Sequence, residues 1–245
     1  MDFKNNKKKQ LSDRQGVSLL MVVLIIGVIL VATLAISQIV LRQGRVTKGA
    51  EISERAYFAA ESGVEKAAYQ IFKEQTDITT YNLSGNLTNN ATYQVNSSDL
   101  TVDVKNPDTG QEITQSQPWQ VALSAGQAFS LALDINGATY PATLQIDRSG
   151  TQPSDLIIHS WLKVGGGDEQ VFVIDFPYDL NINSARFYQI RINNRSAGSE
   201  TYILKPTSPA NAKLPIGLYI KAKGVFFSYQ RTVEGNFPRW QKFGI

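Results

Sequence analysis

Arg14-Gln15-Gly16-Val17-Ser18-Leu19-Leu20-Met21 opens the stretch on which the reading of this chain turns. From Val17 to Leu41 the sequence is almost wholly Val, Leu, Ile, Met and Ala, and no charged residue falls between Gln15 and Leu41. Roughly 20 apolar residues suffice to cross the hydrocarbon core of a bilayer as a helix. A soluble helix of this length would show a polar face, and this one has none. Residues 17–41 therefore predict a membrane-spanning helix. The apolar core of an ordinary secretory signal is shorter and ends at a small-residue exit, here approached only by Val31-Ala32-Thr33-Leu34-Ala35. An uncleaved signal anchor stays open as the plainer alternative.

Working outward, the charge is lopsided. The 245-residue chain has 24 Lys+Arg and 21 Asp+Glu, a formal net charge of +3, and a sequence pI near 9.0. Residues 1–16 hold five basic side chains (Lys4, Lys7, Lys8, Lys9, Arg14) and two acidic ones (Asp2, Asp13), so residues 17–245 are balanced. A basic flank before the span favours retention of the N-terminus in the cytoplasm. With its excess confined there, the chain predicts no nucleic-acid partner. The absence of Cys excludes disulfides and thiolate metal sites. A single His leaves no multi-His zinc site within one chain.

Beyond the span no Pro occurs before Pro107, and residues 38–74 have helix-forming composition, with Gly44, Gly49 and Gly63 as weak points. At 100° per residue, Tyr57, Ala60, Val64, Ala67, Ala68 and Ile71 form one apolar stripe. Arg55, Lys66 and Lys73 fall opposite it. Residues 17–74 thus predict one helix about 87 Å long. A Thr/Asn/Ser-rich connection over 75–99 follows, with short strands around Tyr81 and Tyr93. Period-2 alternation then runs from Leu100 to the end, as in Leu100-Thr101-Val102-Asp103-Val104 and Phe129-Ser130-Leu131-Ala132-Leu133. Asp134-Ile135-Asn136-Gly137 reads as a hairpin turn. The fold class expected is α+β: a long N-terminal helix, transmembrane then amphipathic, followed by an antiparallel, sandwich-like β headpiece over 100–245. Trp119, Phe129, Trp161, Phe172, Phe187 and Tyr219 are its expected core aromatics.

Four segments carry a family resemblance. The Gly16–Val17 junction, followed by Ser18-Leu19-Leu20, resembles the processing site of type IV prepilins and pseudopilins. The resemblance implies a cytoplasmic leader over residues 1–16, cut after Gly16 by a prepilin peptidase, and N-methylation of the new terminus at Val17. The family usually has Glu where this chain has Met21. That Glu is thought to pair with a neighbour's terminal amine in the filament core, where an unpaired charge is costly. Its loss implies a minor rather than a major subunit, as in some PilX-like minor pilins. Ala56-Tyr57-Phe58-Ala59-Ala60-Glu61-Ser62-Gly63-Val64-Glu65 resembles the "AxxAAExGxE" signature of that group. Lys221-Ala222-Lys223-Gly224 and Gln230-Arg231-Thr232-Val233-Glu234 resemble its terminal "xAxG" and "xRxxE" strands. On this resemblance Met21, Tyr57, Ala60, Glu61, Val64 and Glu65 take part in filament or helix packing. The implied partners are other pilin subunits, the pilus assembly machinery, the prepilin peptidase and the membrane, and the implied destination is an extracellular filament.

The residues offer little chemistry. His159 stands on an expected strand, where a packed or surface role is the ordinary one. Gly165-Gly166-Gly167 lacks the following helix and Lys of a phosphate loop and reads as a hairpin. Asp168 and Glu169 lack the spacing of a calcium loop. No catalytic residue, cofactor or metal is expected, and no enzymatic activity. The alternative is a membrane-anchored surface adhesin or carbohydrate-binding β-sandwich, which exposed aromatics on one sandwich face would favour.

Overall fold

The computed structural model describes residues 5–150, 154–173 and 175–244, with side chains from residue 19 onward. Residues 1–4 of the expected leader, and the side chains of Gly16 and Val17, lie outside the described residues. The architecture is α+β, as expected: one long apolar helix and then antiparallel sheets. The helix, α1, runs from Asn5 to Phe72. It starts before the expected position 17 because Lys, Gln, Leu and Arg continue a helix as readily as the apolar run does. It stops two residues before the expected position 74. Gln75 adopts a left-handed φ of 58°, and the Thr76 N–H donates back to the Gln70 carbonyl at 3.1 Å.

The chain forms two compact units, residues 1–54 and 55–245. In the first, every large apolar side chain from Leu19 to Leu41 is at least half exposed. This helix is long and apolar enough to cross a membrane. Such a surface is stable only where something other than water covers it.

The second unit has two cores. Strands β1 (Asn82–Asn86), β2 (Thr92–Asn96), β3 (Leu100–Asp103), β12 (Gly217–Phe226) and β13 (Tyr229–Pro238) form one sheet, in the order β1-β2-β12-β13 with β3 also on β12. Its buried face and residues 64–71 of α1 enclose one core, with Val64, Ala67, Ile71, Val95, Leu218 and Ile220 among its members. Between β3 and β12 the chain builds a β-sandwich. One sheet has the order β14-β5-β10-β7-β8: Trp240–Gly244, Gln127–Leu133, Arg186–Asn194, Ser154–Leu162 and Asp168–Val173. The other has the order β4-β11-β6-β9: Trp119–Leu123, Glu200–Ser208, Thr143–Arg148 and Tyr178–Asn181. Their inward residues share one cluster that includes Trp119, Phe129, Ile146, Ile190 and Tyr202. Strand β4, and β7 as far as Trp161, alternate between buried and less buried positions, as a strand with one face in a core must.

The short strands expected around Tyr81 and Tyr93 are present, and they pair with each other as the hairpin β1–β2. Three other expectations are corrected by the structure. Residues 134–137 carry the chain from one sandwich sheet to the other and do not join a β5–β6 hairpin. Of the two terminal strands that alternation predicts, Gly217–Gly224 and Val225–Val233, the first runs on through Val225 and Phe226, and the second, β13, begins only at Tyr229. Trp161, Phe172 and Tyr219 are not core residues. Trp161 and Tyr219 are half-buried, and Phe172 is 67% exposed. All three point to the outer face of their sheet, which strand parity alone does not identify.

The two cores meet at a junction of buried polar contacts. Arg239 pairs bidentately with Asp134, through Nε at 2.8 Å and through Nη2, and its guanidinium lies 4.4 Å from the Phe72 ring centroid. The Ile135 N–H donates to Tyr140 Oη at 2.9 Å. Burial pushes that phenol well above the usual tyrosine range. From Arg239 the chain returns to the sandwich as β14, pairing with β5.

Candidate functional site

The segments singled out by sequence converge on one seam, where residues 56–71 of α1 lie on β2, β12 and β13. Ala56, Ala59, Ala60 and Ala67 are fully buried there, with Val64 nearly so. Opposite them stand Tyr93, Ala222, Gly224 and Gly235. The helix sits so close that side chains are excluded. A Cβ on Gly224 would lie 2.5 Å from the Ala60 nitrogen and nearer still to the Ala56 carbonyl oxygen. One on Gly63 would lie 3.1 Å from Ala222 Cβ and 3.2 Å from Tyr93 Cβ. One on Gly235 would lie 2.7 Å from Val64 Cγ1. Gly63, read from sequence as a weak point of the helix, is thus needed for contact. In the "AxxAAExGxE" and "xAxG" segments the small residues face each other across this seam.

Ala60 and Val64 take the buried positions expected of them. Tyr57 does not: it is 45% exposed, and Ala56 and Ala59 hold the seam in its place. The stripe is centred on the small residues, which hydrophobicity alone does not pick out. Glu61 is half-buried at the rim and Glu65 is exposed. Among the described residues neither forms an ion pair. Met21 is 65% exposed, one of the bare apolar side chains of the first unit.

Basic residues flank the seam through aromatic contacts. Arg55 lies 5.2 Å from the Phe226 ring centroid. Lys66 lies 4.9 Å from that of Tyr93 and donates to its Oη at 2.9 Å. Near the helix end Tyr81 donates to Gln70 Oε1 at 2.9 Å, and burial pushes its phenol up to about 12. On the open face of the same sheet the Asp103 carboxylate raises the Tyr219 phenol. None of this arranges an acid, a base and a nucleophile around a pocket. His159 lies on the outer face of β7, with Nε2 3.9 Å from Asp168 Oδ2. Gly165, Gly166 and Gly167 all have positive φ and close the β7–β8 hairpin. Among the described residues no cluster of three or more His, Asp or Glu is suited to a metal ion.

Sequence reasoning did not single out Ala56 and Ala59 on the helix side of the seam, nor Tyr93 and Gly235 on its sheet side. The recurrence of Ala and Gly at helical spacing was the available signal. No family model, curated protein or solved structure matches this chain.

Proposed function

We propose that this chain is a minor pilin or pseudopilin, a structural subunit that enters or primes the tip of a type IV pilus-like filament after its leader is removed. One observation carries the reading. A bare apolar helix, preceded in sequence by a basic cluster and Gly16–Val17, continues into a segment bedded on an antiparallel sheet through an Ala/Gly seam. The apolar part suits storage in a bilayer and later burial among like helices, since either environment removes it from water. The seam holds the headpiece to the helix without bulky side chains, leaving Tyr57, Phe58 and Tyr69 outward for contact with neighbours. With Met21 in place of the usual carboxylate, the chain cannot pair with a neighbour's terminal amine at that position. This fits a subunit present in few copies. In this reading the N-terminus starts in the cytoplasm, the mature chain ends outside the cell, and the role is structural rather than enzymatic.

Co-expression with a prepilin peptidase tests it. The expected product begins at Val17, by intact mass, and Gly16→Trp blocks its formation. A product of unchanged mass, or full processing of the Gly16→Trp variant, overturns the reading. The adhesin alternative draws support from the outer face of β7, β8 and β10, and is compatible with a place at a filament tip.

A further inference from the structure

We propose that the outer face of the β14-β5-β10-β7-β8 sheet is a binding platform for a neutral oligosaccharide. The inference goes beyond filament assembly and does not depend on it.

The strand register lines this face in three rungs. The first runs from Asp168 to Trp161 to Phe187, the second from Gln170 to His159 to Gln189, and the third from Phe172 to Ile157 to Arg191. Neighbours within a rung are about 4.8 Å apart, and successive rungs about 7 Å apart. The face therefore offers an aromatic at each end, with a hydrogen-bonding row between. Trp161 and Phe172 stand in rungs roughly 14 Å apart, which suits several linked sugar rings better than one.

The aromatic end is held in place. Trp161 is half-buried, with its ring centroid 6.0 Å from Phe187 and 5.7 Å from His159. Phe187 is buried beneath Lys163, whose Nζ is 4.9 Å from the ring centroid. Lys163 is itself fixed by donation to Asn136 Oδ1 at 3.3 Å. A Trp whose orientation is set by neighbours presents a stacking surface at low entropic cost. Phe172 at the far end is 67% exposed on an edge strand.

The chemistry selects the ligand. A pyranose ring has an apolar C–H face, which stacks on an aromatic plane, and an equatorial belt of hydroxyls. Those hydroxyls need both donors and acceptors. Gln170 supplies both, Gln189 offers its carbonyl oxygen beside a 3.3 Å donation to Ser130 Oγ, the Asp168 carboxylate accepts, and the Arg191 guanidinium has further N–H groups beyond the Nε that donates to Asn193 Oδ1. Asp168 is 71% exposed and meets His159 only at 3.9 Å, so its acceptor capacity is open. A nucleic acid or anionic polymer would call for a basic cluster, but here Arg195 is paired with Asp155, Arg186 with Glu169, and the charges are of both signs. A protein partner would call for one contiguous apolar centre, but here the apolar groups are split by the Gln170–His159–Gln189 row.

The test uses the full chain in detergent on an array of β-glucan, chitin, mannan and galactan fragments, beside sulfated and sialylated glycans. The retained neutral oligosaccharide is then titrated in solution. Trp161→Ala is expected to weaken binding roughly tenfold or more, as loss of a central aromatic anchor does. Phe172→Ala is expected to weaken it less. Gln189→Ala removes an exposed side chain whose contact is a 3.3 Å donation to Ser130 Oγ, so its Tm is expected to stay unchanged while affinity falls. Tyr229→Ala, on β13 of the sheet packed against α1, is expected to leave binding unchanged. Retention of no neutral glycan, retention of anionic glycans alone, or binding indifferent to Trp161→Ala and Gln189→Ala each overturns the proposal. So does an effect of these variants on filament incorporation without any glycan bound, which would make the face a subunit contact. Processing at Gly16 is measured separately, so failure of one proposal is distinguishable from failure of the other.

Discussion

Gly224→Ala is the sharpest test of how the headpiece is held to its helix. The added methyl would lie 2.5 Å from the Ala60 nitrogen. An unstrained contact needs about 3.5 Å, and the Ala56 carbonyl oxygen is nearer still, so helix and strand must separate locally by at least about 1 Å. Both sides of this contact are backbone, and no flexible side chain can absorb the shift. A gap of that size forfeits a quarter to a half of the dispersion attraction of each atom pair along the seam. Overpacking of this kind costs about 1–3 kcal/mol, and the backbone-on-backbone geometry puts Gly224→Ala near 3 kcal/mol. For a domain of this size that is a fall in Tm of roughly 6–12 °C. The assay is thermal unfolding of the full chain in detergent, with amide exchange followed over residues 56–71. Trp119, Trp161 and Trp240 all lie on sandwich strands, so tryptophan fluorescence reports the other core separately. Gly198→Ala is the control: its Cβ would meet nothing within 4 Å. It should change stability by less than about 0.5 kcal/mol. If Gly224→Ala melts like the Gly198→Ala control and exchange over 56–71 is unchanged, the close-packed seam is wrong.

Asp134→Ala strands the Arg239 guanidinium at the junction of the two cores and is expected to cost about 3 kcal/mol, read from the urea midpoint. The Tyr81 phenol is raised above its ordinary value, so its contribution to stability is full below pH 10 and is lost as pH rises toward about 12. Tyr81→Phe should therefore flatten the alkaline decline between those values, at the cost of about 1 kcal/mol for the lost bond to Gln70; an unchanged decline would refute the assignment. Glu65→Gln alters an exposed side chain and should shift stability by less than about 0.5 kcal/mol. If the filament proposal holds, it should still lower the amount of this subunit in sheared filaments, as measured by immunoblot.

Legibility in the sequence differed by residue. The span from Val17 to Leu41 could be read from composition alone, because a long apolar run has few fates in water. The strands with alternating Val, Leu and Ile, such as Gln120–Leu123, were visible for the same reason. Strands β1 and β2 could be placed only roughly, around Tyr81 and Tyr93, since Asn, Ser, Gly and Thr carry no periodic signal to fix their bounds. Their pairing is set by contacts with β12 and the helix.

The local code thus dictates an exposed apolar helix, its amphipathic continuation and a β-rich remainder, because burial energy follows side-chain type. It does not dictate which face of a strand turns inward. Trp119 and Trp161 both sit on alternating strands, yet Trp119 is in the core and Trp161 is on the outer face. Nor does it say that Ala60 and Gly224, 164 positions apart in the chain, must meet. Both outcomes depend on which element packs opposite, and that partner arrives from a distant part of the chain only when the two cores form.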